Sequence, residues 1–237
     1  MTVRTLIRLN VDPAGVLIGL SIIALWFLSL YLMLNWEVDF TNPLTYLFVY
    51  IQTHLYTGLF ITSHDAMHGS VSKNRRLNHL IGYVTSMLFA FNFYNRLIVK
   101  HHEHHRFVAT DDDPDYHESG HFWLWYWNFL KRYITLEQLI LITVSLQLLR
   151  FIFPLENLIL FWSIPSILST FQLFYFGTYI PHKAGHNAEN KHKSRSLGKN
   201  HLRAFLSCYF FGYHYEHHDA PGVPWWRLWQ MKELASS

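Results

Sequence analysis

The run VLIGLSIIALWFLSLYLML, residues 16–34, decides the class of fold. It contains no charged residue, and at a helical rise of about 1.5 Å per residue it is long enough to cross the hydrocarbon core of a membrane. A signal peptide is the competing interpretation, but the run is longer than the usual apolar region of such a peptide and no small-residue cleavage site follows it. We therefore predict a transmembrane helix, in an all-α integral membrane protein.

Three further apolar segments have the length of a membrane span. They are residues 44–62, 136–153 and 158–180, the last of which contains Pro165. A proline inside a membrane helix is tolerated as a kink, so it does not remove this segment from the set. The sequence thus predicts about four transmembrane helices in one membrane domain that covers residues 1–237.

The basic residues predict how these spans are oriented. Of the 19 Lys and Arg residues, all except Arg150 lie in the amino-terminal segment, in residues 73–132 or in residues 183–232. Loops rich in Lys and Arg face the cytoplasm, so we expect these three segments and both termini on the cytoplasmic side. The net charge is only +3, and a nucleic-acid partner is therefore not expected.

The segment 80–99 is apolar enough to span but carries Asn92, Asn95 and Arg96. If it crossed the membrane, the histidines before it and after it would lie on opposite faces and could not share a site. We therefore predict that it is re-entrant or interfacial, one of several short helices that accompany a histidine-rich cap on the cytoplasmic face.

Four histidine boxes follow or border the apolar segments. They read HDAMH (64–68), HHEHH (101–105), HKAGH (182–186) and HYEHH (214–218). Residues three and four apart share one face of a helix, so each box can direct its imidazoles to one point wherever its backbone is helical. The expected metal ligands are His64, His68, His101, His104, His105, His182, His186, His214, His217 and His218.

The number of these histidines predicts two metal ions. One zinc ion takes about four ligands and an octahedral metal takes about six, so ten imidazoles exceed the need of a single ion. Imidazole suits iron, zinc, copper and nickel alike, although the ligand number favours iron. Asp65, Asp113 and Asp115 are candidates to accept the second N–H of ligating imidazoles. The single cysteine, Cys208, excludes a site built on cysteine thiolates.

The amino-acid sequence around the boxes resembles that of a known family. HDAMHGS (64–70), DPD (113–115), FGTYIPHKAGH (176–186) and YHYEHHDAPGVPWWRL (213–228) are similar to the bacterial and cyanobacterial type of β-carotene 4-ketolase. These enzymes belong to the membrane fatty acid desaturase and hydroxylase superfamily, whose members carry histidine boxes of this kind. The resemblance covers roughly residues 60–230, and the Trp pair of PWWRL is not a general feature of desaturases.

The resemblance implies a fold, a cofactor and a reaction. It implies a non-haem di-iron centre that uses dioxygen to introduce keto groups at C4 and C4′ of β-ionone rings, by two hydroxylations at one carbon and loss of water. β-Carotene would thereby give echinenone and then canthaxanthin. The implied partners are a carotenoid from the lipid phase, membrane lipids and an external electron donor such as ferredoxin.

Other functions remain open at this point. A carotenoid hydroxylase or an acyl-lipid desaturase or hydroxylase would have the same fold and the same histidines. A membrane metal carrier also collects histidines, but transport requires ligands near the middle of the membrane in discontinuous helices. The boxes here are expected on one face, which disfavours a carrier.

Overall fold

The computed structural model describes residues 14–183 and 185–236, and every regular element in this part of the chain is a helix. This confirms the predicted all-α class. Residues 1–13, among them Arg4 and Arg8 of the predicted cytoplasmic amino terminus, lie outside the described residues, as do Ala184 and Ser237. The helices are α1 (Ala14–Leu34), α2 (Pro43–Met67), α3 (Arg75–Leu88), α4 (Tyr94–Phe107), α5 (Phe122–Tyr133), α6 (Leu136–Leu149), α7 (Leu155–His182), α8 (His201–Cys208), α9 (His214–Asp219) and α10 (Trp225–Ser236).

Two of these helices, α1 and α7, are long and apolar enough to cross a membrane. Helices α5 and α6 pass the same test only as a pair, and they are bent by 86° where they meet. Helix α2 contains the predicted span 44–62 and has 25 residues, about 37 Å at a helical rise, but its composition is more polar. Its crossing of the membrane stays a prediction.

The predicted span 136–153 is longer than the helix that the structure shows. Helix α6 ends at Leu149, and the chain turns through the next residues before Pro154 precedes α7. Its 14 residues extend about 21 Å, which is less than the roughly 30 Å of a hydrocarbon core. Because a proline disfavours helical conformation in the residue before it, the helix could not continue unbroken into α7.

The long helices run in alternating directions. Asn157, near the start of α7, donates from Nδ2 to the carbonyl oxygens of Met33 (2.8 Å) and Trp36 (2.7 Å) at the end of α1. At the opposite end of the bundle, a Cβ added to Gly15 would collide with the Val71 carbonyl, which follows α2. Helices α1 and α6 therefore begin at the end of the bundle where α2 and α7 terminate, and they run in the opposite direction. This places the last residues of α2 and α7 together.

The local sequence explains where these helices begin. The side chain of Asn42 accepts a hydrogen bond from the Leu44 N–H (3.0 Å) and Pro43 occupies the first turn of α2. Thr135 and Gln138 form a reciprocal capping box at the start of α6. Polar caps of this kind satisfy the amide groups that a helix leaves unpaired at its amino-terminal end.

The segment 80–99 forms two helices joined by a turn. Helix α3 ends at Leu88, and Ala90 (φ 49°) and Phe91 (φ 57°) adopt the left-handed conformation before α4 begins. Gln138 of α6 donates from Nε2 to the Ala90 carbonyl at 2.6 Å and so holds this turn. The segment therefore does not form one continuous rod, and both boxes beside it lie at the same end of the bundle.

Candidate metal centre

Four helices bring their histidines to one place. The last turn of α2 carries His64, while the first box ends at the residue that caps this helix, His68. Helix α4 carries the second box, and α7 ends at His182. Helix α9 is short and begins at His214. Since each of these segments is helical, the spacing of three and four residues in the second and fourth boxes does place their imidazoles on one face.

The first group contains five histidines whose ligand nitrogen atoms lie within 4.8 Å of one another. His101 Nε2 and His68 Nε2 are 2.6 Å apart, and His105 Nε2 and His217 Nε2 are 3.0 Å apart. The His64 ring completes the group, with its centroid 4.4 Å from that of His101. Three helices and three different boxes therefore contribute to one cluster.

The second group contains four histidines, all of them buried, whose ligand nitrogen atoms also lie within 4.8 Å of one another. His218 Nε2 is 3.0 Å from His214 Nε2 and 3.2 Å from His104 Nε2. The ring of His182 lies 4.8 Å from those of His104 and His214, centroid to centroid. Two boxes thus contribute to both groups: α4 and α9 each send neighbouring histidines to different clusters.

The spacing of these nitrogen atoms fits metal coordination. Two nitrogen atoms that each lie about 2.1 Å from one metal, at right angles, are separated by about 3 Å. Most of the Nε2 separations above have this value, and the two groups touch through His105 and His218, whose centroids are 4.2 Å apart. Among the described residues, buried Nε2 atoms of His64 and His182 have no hydrogen-bond partner. Bound metals would satisfy both.

The protonation of the groups also suits ligands. Burial lowers the pKa of His105 to about 2 and lowers the pKa of His217 and His218 well below their usual range. These imidazoles are therefore neutral, which is the form that binds a metal. His104 differs. Burial lowers its pKa, but the nearby carboxylates of Asp115 and Asp113 raise it by more, so the pKa of His104 lies above its usual value.

Asp113 orients the ring of His104. Its Oδ1 lies 2.9 Å from His104 Nδ1, while its carboxylate also accepts hydrogen bonds from the N–H groups of Ala109 and Asp115, each at 2.8 Å. A carboxylate that fixes Nδ1–H leaves Nε2 free to bind a metal and raises its basicity. Asp115 is farther away, with Oδ2 at 3.8 Å from His104 Nδ1, and it accepts a hydrogen bond from the Tyr133 hydroxyl.

Asp65 connects the first group to the carboxy-terminal helix. Its Oδ1 lies 3.3 Å from His64 Nδ1, and its Oδ2 accepts a hydrogen bond of 2.8 Å from the N–H of Trp225. Trp225 is the first residue of α10, where an unpaired helical N–H favours a carboxylate. The Trp pair of the PWWRL motif thus includes a residue that holds Asp65, in addition to any contact with a membrane interface.

His186, the tenth expected ligand, is not brought into either group. The i, i+4 relation of the third box requires a helix, but α7 ends at His182, Lys183 is extended (φ −55°, ψ 135°) and Gly185 has a φ of +97°. The role of His186 as a ligand therefore stays a prediction. The ring of His182 is oriented by the Lys193 carbonyl, which lies 3.0 Å from its Nδ1 and takes the place that Asp65 and Asp113 have in the first two boxes.

Sequence reasoning missed three supporting groups. They are the Tyr133 hydroxyl, the Lys193 carbonyl and the Trp225 N–H, and the sequence gives no periodic signal for any of them. Glu216 lies inside the fourth box, but the hydrogen-bond partners of its carboxylate are not histidines. Its carboxylate instead accepts hydrogen bonds from Ser196 and from Lys232, the latter at 3.0 Å, and so ties α9 to α10.

We expect Asp113→Asn to lower metal affinity and turnover by about 10- to 100-fold, the usual cost of removing such a supporting carboxylate. The asparagine side chain cannot accept from both His104 Nδ1–H and the Ala109 N–H, because one of its two polar atoms is a donor. Metal content and product formation should be measured on the purified protein. Asp111→Asn, at an exposed position two residues earlier, is the matched control and should leave both unchanged.

A cavity of about 480 Å³ begins at the histidines and extends along one face of α7. His64, His101, His104 and His214 line one end of it. Its walls are otherwise mainly aromatic and aliphatic, and Phe89 is part of them whereas Phe91 and Phe93 are not. Gly177 also lines it, and a Cβ at this position would collide with the ring of Phe211. Both histidine groups are thus open to a long apolar space.

Comparison with known proteins identifies a family. The family model described as fatty acid desaturase matches residues 41–154 and 131–236, which together cover most of the chain. No solved structure gives a significant match.

Several similar proteins carry curated names. The "Beta-carotene ketolase" of Paracoccus sp. (strain N81106 / MBIC 01143) is 38% identical over 234 residues, covering 96% of either chain. That of Paracoccus sp. (strain PC1) is 41% identical over 180 residues, covering 74% of either chain. The "Zeaxanthin 4-ketolase" of Chlamydomonas reinhardtii is 38% identical over 241 residues, and the present chain spans 54% of its length. The chain therefore belongs to the β-carotene ketolases of the fatty acid desaturase family.

Proposed function

We propose that this protein is a carotenoid ketolase that converts the C4 methylene of a β-ionone ring into a ketone with dioxygen. One observation carries the proposal: two adjacent histidine groups, of five and four residues, lie at the end of an apolar cavity. An apolar substrate is thereby brought to a metal centre without passing through water. The ketolase names of the similar proteins support this choice of substrate.

Two irons are the metals that these groups suit best. Five and four imidazoles each leave room for one or two further ligands in an octahedral shell, and imidazole is an accepted ligand of iron. When bound, the pair of irons would supply the activation of dioxygen that oxidation of the allylic C4–H bond requires. His104 and His64, held through Nδ1 by Asp113 and Asp65, would present Nε2 to the two sites.

The protein would position the substrate and exclude water from the reacting carbon. The cavity walls hold the ring of the substrate against the histidines, and their apolar character keeps bulk water away from the reacting carbon. Two successive hydroxylations at C4 give a geminal diol, which loses water to form the ketone. Each ketone consumes two molecules of dioxygen and four electrons, with four protons, and releases three molecules of water.

The electrons would come from a separate protein. A small reductant such as ferredoxin is the class of donor we propose, acting at the cytoplasmic face. The distribution of Lys and Arg supports this orientation, because the segments around the histidines carry nearly all of them. Acyl-lipid desaturation remains the alternative reaction for the same site.

The test is pigment chromatography of cells that accumulate β-carotene, with and without this chain, grown in air. We expect new products with the masses of one and two added carbonyl groups. Unchanged carotenoids beside a folded, iron-loaded protein would contradict the proposal. The fatty acids of the same cells, analysed in parallel, would show whether the chain acts on acyl chains instead.

A further inference from the structure

One side of the cavity wall is also an outer surface of the protein. Ile134, between α5 and α6, is 41% exposed, Leu139 of α6 is 49% exposed and Ile167 of α7 is 62% exposed. All three also line the cavity. Side chains that face both the cavity and the outside mark an opening. The outer surface around this opening, on α6 and α7, consists of isoleucine and leucine side chains, which favour contact with lipid over contact with water.

Helix α6 is held at both ends and lines the cavity between them. Near its start, Gln138 bonds the Ala90 carbonyl and Glu137 pairs with Arg96 at 3.1 Å. Near its end, Leu146 and Leu149 pack against the main core. Within α6, Gln138 is the only residue that is fully buried. This helix therefore closes the cavity as a thin wall, with its outer face exposed.

We propose that the opening between α6 and α7 is the entrance through which a carotenoid leaves the lipid, and that it admits one ring end at a time. This inference rests on the proposed ketolase function. The occupant is fixed by what the opening connects: an apolar surface on the outside and, through one continuous apolar cavity, the two histidine groups.

The dimensions of the cavity prevent the substrate from turning inside it. The cavity extends along α7 from Trp162 to Thr178, about 24 Å at a helical rise. Spread over that length, a volume of 480 Å³ leaves a mean width of about 5 Å, so a rod as long as the cavity has no room to turn end for end. A carotenoid is a stiff conjugated rod with a ring at each end, and it is longer than this cavity.

The two rings of one molecule are therefore oxidised in separate binding events. After the first ring has become a ketone, the molecule must withdraw through the opening, reorient in the lipid and enter again by its other end. The mono-ketone is a free intermediate that mixes with the membrane pool. This distinguishes the enzyme from one that holds its substrate until both ends are oxidised.

The entrance is tested by blocking it. Ile167→Trp should slow ketone formation by about tenfold, because the larger side chain would narrow the opening through which the substrate enters. Leu168→Trp is the matched control, because Leu168 is 44% exposed on the same turn and does not line the cavity. It should stay within about twofold of wild type, and both variants should keep normal iron content.

Either of two results would overturn the entrance: no loss in Ile167→Trp, or an equal loss in both variants. The wild-type protein, assayed alongside, separates this proposal from the function on which it rests. If the wild type itself forms no ketone, the ketolase function has failed, whereas a difference between the two variants concerns the entrance alone.

The separate binding events are tested by isotope dilution. Purified protein in lipid vesicles, with a reductant, receives deuterated β-carotene together with an excess of unlabelled mono-ketone. The first diketone formed should be almost entirely unlabelled, because labelled mono-ketone is released and diluted before its second ring reacts. Diketone that carries the label from the earliest time point would show that both rings are oxidised without release.

Discussion

His104→Ala and His217→Ala are each expected to lower ketone formation by more than about 100-fold, beyond the usual cost of removing a group that merely orients a ligand. His104 belongs to the group of four and His217 to the group of five. On the proposed di-iron function, each change would remove a ligand from a different metal, and oxidation would require both metals. Pigment chromatography should show the loss, and iron analysis of the purified proteins should show reduced occupancy.

His102→Ala is the control for these two variants. His102 lies in the same box, but its side chain is exposed and it belongs to neither group. It should retain wild-type iron content and wild-type activity. If His104→Ala or His217→Ala kept full activity at normal abundance, the assignment of that histidine as a ligand would be wrong.

The sequence predicted the features that follow from local rules. Apolar length located α1 and α7 to within a few residues, because burial of a helix in lipid requires an uninterrupted apolar stretch. The spacing of three and four placed the histidines of the second box on one face of α4, because helical periodicity is a local property. These parts of the structure need no knowledge of distant contacts.

The division of the histidines into two groups did not follow from local rules. His217 and His218 are neighbours in sequence, yet they join different clusters, and so do His104 and His105. Which cluster each imidazole joins depends on how α4 crosses α9 and the ends of α2 and α7, and that is set by packing between distant segments. The same holds for the 86° bend between α5 and α6, which no apolar pattern marks.

The supporting groups were predicted in part, and for a physical reason. Asp65 and Asp113 lie near a box in sequence, and both orient a histidine of that box. The Lys193 carbonyl and the Trp225 N–H carry no side-chain signal, because any residue supplies these backbone groups. Their roles depend on the tertiary structure, which brings the loop after α7 and the start of α10 beside the histidines.

His182→Ala is expected to lower ketone formation by more than about 100-fold, whereas His186→Ala should stay within about threefold of wild type. The spacing of four residues in the third box predicts that both histidines are metal ligands. In the structure only His182 belongs to the group of four, because α7 ends there and Lys183 and Gly185 are not helical.

Iron content distinguishes the two outcomes independently of turnover. His182→Ala should lose iron from the group of four, and His186→Ala should retain wild-type stoichiometry. A loss of iron in His186→Ala equal to that in His182→Ala would mean that the segment after α7 folds back over the metal and supplies a tenth ligand. The helical spacing of the third box would then be realised in the iron-loaded protein, although the backbone at Lys183 and Gly185 leaves the helix in the structure described here.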